Sequence, residues 1–381
     1  MKKKSQASKR SKSQKRVRYA AVGLGHITQV ALLPAFAGAR RNSELVGVVS
    51  GDVRKIASVR RRYGARLSWG YSGYDEMLAS GEVDAVYIGL PNDMHHEYAL
   101  RALRAGVHVL CEKPLAPTAK ECRELVHAAH THRARLMTAY RLHFERANLE
   151  VLALLQAGRI GEARIFESVF TMQIQDRENI RLSGARAGGP LYDLGVYCLN
   201  AARAVFRAEP ERVACFQIST KDPRFHEVEE TASCVLRFPG DRLATFTCSF
   251  GAGEVSEYRV VGTQGSIRVE PAYEYSEGLA YHVTTKGQTR TRRFAARDQF
   301  APELMAMSDW VLHGRAPSAT GEEGLADVRV IEALHRSAAR DGVPIALAPA
   351  SVPRRPRLTQ VVDRPAHPKP KPVHARSASG S

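Results

Sequence analysis

The feature that most constrains the fold is the regular alternation of short apolar runs with helical stretches from Val17 to Tyr140. Runs such as Val17–Val22 and Glu44–Val49 are apolar on both faces, which is typical of strands buried in a parallel sheet. Parallel strands need a long crossover between them, and the intervening helical stretches provide it. The pattern therefore predicts a doubly wound α/β domain, a parallel sheet covered by helices on both faces.

After Tyr140 the pattern changes to strand-like segments of alternating character, separated by turns such as Pro239-Gly240-Asp241. This arrangement is typical of an α+β domain with a large open, mostly antiparallel sheet and helices on one face. A chain of 381 residues has room for two such domains. The predicted bounds are 17–140 for the first domain and 141–348 for the second.

The net charge of +17 is concentrated at the two ends of the chain. Residues 1–18 hold nine basic and no acidic residues, and residues 351–381 hold seven basic residues and one acidic residue. The body between them is close to neutral. Basic Ser- or Pro-rich ends favour disordered tails, here predicted at 1–16 and 349–381. Nucleic acid is expected to bind only non-specifically, through these tails.

The sequence gives no sign of a membrane or export segment. No apolar run reaches the ~18 residues of a membrane-spanning helix, and no apolar stretch follows the basic N-terminus as it would in a secretory signal. The cysteines show no CxxC spacing, which favours reduced thiols. A cytoplasmic location is therefore expected.

A glycine-rich turn follows the first strand and consists of Gly23-Leu24-Gly25-His26-Ile27-Thr28. In a dinucleotide-binding turn the first glycine permits the tight bend, and the second lets the backbone approach a pyrophosphate at the helix N-terminus. Thr28 replaces the small residue that usually completes this fingerprint. An ordinary strand–helix turn is the alternative, but the position after the first strand favours a Rossmann dinucleotide site.

The end of the second predicted strand bears on the choice of cofactor. An acidic residue at this point usually binds the adenosine ribose of NAD, but Ser50 takes the expected place. Arg54 and Lys55 follow within one helical turn, and such cations suit the 2′-phosphate of NADP. The segment therefore favours NADP(H) over NAD(H), while Asp52 keeps NAD possible.

Two further loops follow later strands of the first domain. One contains Leu90-Pro91-Asn92 and His95, and the other contains Glu112-Lys113-Pro114. Ligands of open α/β sheets bind outside the carboxyl ends of the strands, so both loops are expected to face the cofactor. Lys113 is a candidate proton carrier or hydroxyl donor, with a surface lysine in a turn as the alternative.

The second half contributes the segment from Gly188 to Tyr197. Asp193 and Tyr197 stand four residues apart and so share one helix face. If they meet Lys113 at a nicotinamide, the three form an acid–base set for interconverting a carbonyl and an alcohol. A helix-capping region with a buried tyrosine is the alternative. The histidines between 127 and 132 are interpreted as a solvated helix face, and no metal site is predicted.

These segments, with Tyr140-Arg141-Leu142-His143-Phe144 and Gly321-Glu322-Glu323-Gly324, resemble the Gfo/Idh/MocA oxidoreductase family and most of all its glucose–fructose oxidoreductase branch. The resemblance runs from Val17 to about Val343. It implies a Rossmann domain and a second domain that binds substrate and forms a homodimer or homotetramer through its sheet. It also implies a bound nicotinamide cofactor and a sugar or polyol substrate.

Residue roles follow from the same resemblance. It places Lys113 at the catalytic lysine, Asp193 at a conserved acid and Tyr197 at the general acid/base. Ser50 and Lys55 match positions that hold the 2′-phosphate. Asn92 and His95 match the loop that borders the nicotinamide. Arg141, in the first loop after the Rossmann domain, is expected to border the cleft, with a tie between the two domains as the alternative.

The expected reaction is hydride transfer between a sugar carbinol carbon and the nicotinamide. A phenol is a weak base at neutral pH, and a neighbouring ammonium favours its ionised form. The glucose–fructose branch covers its cofactor with a proline-rich N-terminal arm, which the short basic segment here does not match. An exchanging NADP-dependent sugar dehydrogenase is thus favoured over an oxidoreductase with held NADP. A catalytically silent dinucleotide-binding regulator is the third hypothesis.

Overall fold

A computed structural model describes residues 15–351 and 353–375 of the chain. The predicted N-terminal tail, residues 1–16, lies outside the described residues except for its last two. Among the residues described, no helix is long and apolar enough to cross a membrane.

The first domain is built on a six-stranded parallel sheet with strand order β3-β2-β1-β4-β5-β6. The strands are β1 Val17–Val22, β2 Ser43–Val49, β3 Leu67–Trp69, β4 Ala85–Ile88, β5 His108–Cys111 and β6 Leu136–Thr138. The helices are a π turn at Thr28–Leu32 that continues as α1 Leu33–Ala35, then α2 Val53–Tyr63, α3 Tyr74–Ala79, α4 Asn92–Arg104 and α5 Ala119–Thr131. The predicted doubly wound fold is confirmed, and the strand order reverses between β1 and β4, which opens a crevice there.

The second domain contains a nine-stranded sheet of order β14-β13-β12-β11-β7-β10-β9-β8-β15, antiparallel except where β7 meets β10. Its strands are β7 Ala163–Thr171, β8 Arg212–Ile218, β9 Thr231–Phe238, β10 Arg242–Ser249, β11 Val255–Gly262, β12 Gly265–Val269, β13 Ala280–Thr285, β14 Gln288–Arg293 and β15 Ile345–Ala346. Its helices are α6 Arg146–Gln156, a π turn at Leu191–Gly195 that continues as α7 Val196–Phe206, α8 Phe300–His313 and α9 Gly321–Ala338. The predicted α+β architecture is confirmed.

Several short 3₁₀ turns connect these elements. They lie at Tyr71–Gly73, Arg141–His143, Ile180–Leu182, Gly184–Arg186, Pro223–Phe225 and Leu358–Gln360.

Helix α8 follows the second sheet in sequence but packs on the first one. The Tyr19 hydroxyl from β1 lies 2.9 Å from Ser308 Oγ, and Asn42 Nδ2 donates to Asp309 Oδ1 at 2.8 Å. Both Tyr19 and Ser308 are fully buried. These contacts fasten α8, which comes from the second half of the chain, to the first domain.

Residues 353–375 of the predicted C-terminal tail pack against the rest of the chain, and residues 376–381 of that tail lie outside the described residues. Arg355 is buried, and its guanidinium donates to the Ala208 carbonyl at 3.0 Å and to Glu323 Oε2 at 3.3 Å. Gln360 Nε2 donates to Ser318 Oγ at 2.9 Å. We call residues 353–375 the C-terminal strap. The basic, proline-rich composition indicated a solvated tail because a charge count cannot show that an arginine has buried carboxylate partners elsewhere in the chain.

Glu303 on α8 is a fully buried carboxyl group whose two oxygens have no hydrogen-bond partner among the described residues. Burial raises its pKa well above the ordinary value, and the nearby Glu112 adds to the shift. A raised folded-state pKa contributes stability that is present below the unfolded pKa and is lost as pH rises through the folded value.

We therefore expect Glu303→Gln to stabilise the protein at pH 8 by about 1–3 kcal/mol, because the amide cannot ionise. The difference in melting temperature between variant and parent should shrink at pH 5. Thermal unfolding at both pH values measures it, with Glu82→Gln as an exposed control. Equal melting temperatures at pH 8 would contradict the prediction.

Candidate active site

A cleft of about 1370 Å³ runs between the carboxyl edge of the parallel sheet and the second domain. One wall is formed by the glycine turn after β1 and by the loops after β4 and β5. The other wall is formed by the π turn at Leu191–Gly195, the end of β7 and the loop after β12. The crevice between β1 and β4 and the segment from Gly188 to Tyr197 therefore line the same cleft.

The glycine turn has the geometry that a dinucleotide phosphate requires. Gly23 adopts φ +87°, and a Cβ there would lie 2.6 Å from the Gly89 carbonyl oxygen, so only glycine fits. At Gly25 a Cβ would make only an ordinary van der Waals contact, 3.8 Å from the Gly89 carbonyl oxygen. Leu24, His26 and Ile27 also line the cleft. These residues fit a dinucleotide whose pyrophosphate meets a bare backbone at the start of a helix.

His26 lies in this turn with a lowered pKa. Burial is the main cause, and the positive charges of Arg181 and Lys369 add to it. The imidazole is therefore neutral at pH 7 and adds no charge beside the phosphate position.

At the other end of the cleft, Asp52 caps helix α2. Its Oδ1 accepts hydrogen bonds from the backbone amides of Arg54 at 2.8 Å and Lys55 at 3.2 Å, and its Oδ2 lies 2.9 Å from His374 Nδ1. The bond to His374 is the largest cause of a lowered Asp52 pKa. Both carboxylate oxygens are thus engaged at the cap. Ser50 and Lys55 line the cleft, whereas the exposed Arg54 does not.

The two loops after β4 and β5 are joined by His95. Its Nδ1 lies 2.8 Å from the Pro114 carbonyl oxygen and its Nε2 lies 2.9 Å from that of Leu90, and burial lowers its pKa. Leu90, Pro91 and Asn92 line the cleft. Asn92 Nδ2 donates to the Ala187 carbonyl at 2.9 Å and so reaches across to the second domain. His95 acts here as a brace between loops.

Lys113 and Asp193 meet directly in the centre of the cleft. Lys113 Nζ donates to Asp193 Oδ1 at 2.6 Å and to the Asp193 carbonyl at 2.8 Å. Arg181 Nε donates to the other carboxylate oxygen, Oδ2, at 2.6 Å. Asp193 is therefore a carboxylate held between two cations from different segments.

The pKa shifts in this group keep all three side chains charged. Burial alone would raise the pKa of Asp193, but Arg181 and Lys113 outweigh it and lower that pKa far below its usual value. Burial alone would lower the pKa of Lys113, but Asp193 outweighs it, so the Lys113 pKa is raised. Lys113 is thus an ammonium across the neutral range.

Tyr197 lies one helical turn beyond Asp193 and lines the same cleft. Lys113 Nζ is 4.8 Å from the centre of its ring, and the Arg141 guanidinium carbon is 4.9 Å from it. The ring packs edge-on against Phe170 at 5.7 Å between centroids. Two cations therefore lie against the Tyr197 ring.

Arg141 and Glu112 lie next to this group and are held by hydrogen bonds to residues around it. Arg141 is buried, and its Nη1 donates to Gln299 Oε1 at 2.7 Å while its Nη2 donates to the Tyr273 carbonyl. It therefore ties elements of the second domain together and also borders Tyr197. Glu112 Oε1 accepts from the Tyr87 hydroxyl at 2.7 Å, and burial raises the Glu112 pKa.

Sequence reasoning missed four residues of the cleft region. Arg181 sits in a 3₁₀ turn whose sequence carries no recognisable spacing, and Tyr275 follows the second sheet's β12. Gln29 follows the glycine turn and was hidden by its place in an apolar run. Lys369 belongs to the strap, which composition assigned to a tail.

Two family models match the chain. One, described as an oxidoreductase family with an NAD-binding Rossmann fold, covers residues 17–140, and a GFO/IDH/MocA C-terminal domain covers residues 148–268. The fold and these matches define a nicotinamide-dependent oxidoreductase that acts on CH–OH groups. The chain belongs to the Gfo/Idh/MocA oxidoreductase family.

Several relatives cover nearly the whole folded body. A D-xylose 1-dehydrogenase [NADP(+)] from Haloarcula marismortui is 32% identical over 327 residues, which are 84% of this chain and 91% of the relative. The solved structure of an aldose–aldose oxidoreductase from Caulobacter crescentus, complexed with glycerol, is 34% identical with a TM-score of 0.83. It covers 87% of this chain and 100% of its own. A 3-ketoreductase from Actinomadura kijaniata, in complex with NADP and TDP-benzene, is 26% identical with a TM-score of 0.78 over 84% of this chain and 98% of its own.

Proposed function

We propose that the protein is an NADP(H)-dependent sugar dehydrogenase that moves hydride between a carbinol carbon of an aldose or related polyol and the nicotinamide. The observation that carries this proposal is the cluster of Lys113, Asp193 and Tyr197 in the same cleft as the glycine turn. Relatives named for NADP-dependent xylose oxidation and for aldose oxidoreduction support the substrate class.

When bound, the nicotinamide supplies or accepts the hydride. Tyr197 takes the proton from the sugar hydroxyl as the carbonyl forms, and returns it in the reverse direction. Tyr197 therefore begins the oxidation as a phenolate and ends it as a neutral phenol, and Lys113 and Arg141 place two positive charges beside its ring. Asp193 holds Lys113 in place through its carboxylate and backbone oxygens, and Arg181 holds Asp193 from the other side.

The second-domain side of the cleft favours a neutral sugar over a phosphorylated or nucleotide-linked one. Its lining includes the carboxyl groups of Glu178, Glu254, Glu274 and Glu277. Negative side chains accept hydrogen bonds from sugar hydroxyls, and they repel phosphate. In this respect the chain is expected to act like the aldose-specific relatives and unlike the ketoreductase that was solved with TDP-benzene.

The proposed activity is tested by incubating the purified protein with NADP⁺ and a panel of aldoses, including xylose and glucose. An absorbance rise at 340 nm with at least one aldose is expected, and TDP-linked sugars should not compete. Dinucleotide binding without any turnover would instead support the catalytically silent regulator.

Cofactor preference is expected to depend on Lys55. A hydrogen bond to a charged partner contributes about 1.5–3 kcal/mol, so Lys55→Gln should raise KM for NADP⁺ by about tenfold or more. KM for NAD⁺ should stay within about twofold because NAD⁺ has no 2′-phosphate. Arg54→Gln is the matched control, because Arg54 does not line the cleft and should leave both constants unchanged. Equal effects on the two cofactors would contradict the assignment.

A second candidate is an oxidoreductase that keeps its NADP and passes hydride between two sugars. It is favoured by the strap, which lies along the cleft. Such an enzyme would convert a sugar pair without added cofactor, whereas an exchanging dehydrogenase would need free NADP⁺.

The sheet of the second domain is the proposed site of homodimer or homotetramer formation. Its exposed side chains include Phe216, Val235 and Leu243, which lie on adjacent or nearby strands. Apolar residues clustered on an exposed sheet face are typical of a subunit interface.

A further inference from the structure

The C-terminal strap crosses from the second domain to the first along the dinucleotide cleft. It is anchored near residue 364, where Arg364 Nε donates to the Gly38 carbonyl at 3.0 Å and the Arg364 carbonyl accepts from the Asp298 amide at 3.1 Å. Beyond this anchor Lys369, Pro370, Pro372 and others line the cleft together with the glycine turn. The strap therefore passes over the place where the dinucleotide is expected to bind.

One buried amide joins the strap to the glycine turn. Gln29 is 3% exposed. Its Nε2 donates to the Leu24 carbonyl at 2.8 Å and to the Val373 carbonyl at 2.9 Å, while its Oε1 accepts from the Val373 amide at 2.8 Å. Gln29 therefore holds the strap backbone in both directions and holds the phosphate-binding turn with the same side chain.

Two further contacts continue the closure toward the adenosine end. His374 Nδ1 lies 2.9 Å from Asp52 Oδ2, and Arg62 Nη1 donates to the Lys371 carbonyl at 3.2 Å. Asp52 caps helix α2 and Arg62 lies within it. The first turn of the same helix presents Lys55 to the cleft. The strap thus ends beside the residues assigned to the 2′-phosphate.

The strap covers the cleft without filling it. A volume of about 1370 Å³ is present with the strap in place, above the ~300–1,000 Å³ of an ordinary ligand pocket. Pro365, Pro368, Pro370 and Pro372 restrict the strap to extended backbone, which lowers the entropy lost when it closes. A cover that needs little ordering suits a ligand that stays bound through repeated turnovers.

We propose that the strap is part of the dinucleotide site: it closes over the bound dinucleotide and must open for exchange, with Lys369 supplying a cation to the covered ligand. This rests on the proposed function for the identity of the ligand. The Lys369 ammonium lies 5.0 Å from the centre of the Tyr275 ring, and Lys369 lines the same cleft as His26 of the glycine turn.

The proposal is tested by the rate at which NADPH leaves the protein. The full chain and a chain that ends at Pro368 are loaded with NADPH and mixed with excess NADP⁺, and the loss of NADPH fluorescence is followed. The truncated chain keeps the anchors Arg355, Gln360 and Arg364. It should release NADPH about tenfold faster or more, because it lacks the four hydrogen bonds that join residues 371–374 to Gln29, Arg62 and Asp52. A chain that ends at Ala375 keeps the described strap and is the matched control, with a release rate equal to that of the full chain.

A pair of single substitutions separates strap closure from any effect of truncation on folding. Val373→Pro removes the amide that donates to Gln29 Oε1, and Val373→Ala keeps it. The proline variant should release NADPH several-fold faster and the alanine variant at the parent rate. Lys369→Gln should weaken NADPH binding, with Lys369→Arg close to the parent.

The results distinguish this proposal from the proposed function. If the truncated chain and the Val373→Pro variant release NADPH at the parent rate, the strap does not close over the ligand. If truncation leaves the release rate unchanged and only speeds binding, the strap is an obstruction and the proposal is overturned. If the full chain binds neither NADPH nor NADH, both the proposed function and the strap proposal fail. If the truncated chain and Val373→Pro release NADPH faster but the full chain oxidises no sugar, the strap proposal is supported and the sugar assignment is overturned.

Discussion

Replacing Tyr197 with phenylalanine is expected to lower kcat for sugar oxidation by about 10²–10⁴-fold while leaving the dissociation constant for NADP⁺ within about twofold. The hydroxyl removed by this change belongs to the Tyr197 ring. The centre of that ring lies 4.8 Å from Lys113 Nζ and 4.9 Å from the Arg141 guanidinium carbon. Two positive charges therefore lie beside the group that is proposed to accept the proton. The ring itself, and its packing against Phe170, stay in place in the variant, so the cofactor site should be undisturbed.

The matched control is Tyr273→Phe. Tyr273 lines the same cleft, but its hydroxyl lies 2.7 Å from Ser168 Oγ within the core. Its loss should reduce kcat by less than about tenfold, below the usual range for acid–base catalysis. Steady-state kinetics with the best aldose from the panel, combined with NADPH fluorescence titration, measure both constants. A Tyr197→Phe variant that keeps more than a tenth of the parent kcat would show that another group moves the proton.

The fold was predictable because its signals are local. The strands of the first domain are apolar on both faces, and that pattern alone separates a parallel sheet from the half-exposed strands of the second domain. Gly23 was assigned to the tight bend of a dinucleotide-binding turn from its position after the first strand, and its positive φ and its approach to Gly89 show why the bend needs glycine. Such features depend on a few neighbouring residues.

The meeting of Lys113, Asp193 and Tyr197 depended on more than local pattern. Spacing placed Asp193 and Tyr197 on one helix face, and the sheet rule placed Lys113 at the cleft, but only the family resemblance joined the two halves. Arg181 shows the limit. Its bond to Asp193 decides the electrostatics of the carboxylate, yet nothing in its own segment distinguishes it from other arginines.

The strap and Asp52 are two cases in which the sequence did not show the hydrogen-bond partners that decide a residue's role. Residues 353–375 carry the charge and proline content of a solvated tail, but their partners, such as Glu323 and Gln29, lie far away in sequence. Asp52 was weighed as a ribose ligand because of its place after β2. Its first role in the structure is that of a helix cap, since the amides of Arg54 and Lys55 point at it.

Replacing Lys113 with methionine is expected to lower kcat by about 10²–10³-fold, the usual cost of removing one donor that stabilises developing charge. Methionine keeps the length and apolar stem of the side chain but removes the ammonium that bonds to Asp193 and faces the Tyr197 ring. Asp193 stays paired with Arg181, which limits the structural damage.

The pH profile gives the same substitution a readout that a merely structural role would not move. The raised pKa of Lys113 keeps it charged across the neutral range, so its positive charge lies beside Tyr197 at every pH at which the parent is active. In Lys113→Met the rise of kcat/KM for oxidation should therefore move to higher pH. The same change at the exposed Lys120 should alter neither kcat nor the profile. A Lys113→Met enzyme that is slower but has the parent's pH profile would show that Lys113 only positions Asp193, and that the charge needed at Tyr197 comes from Arg141.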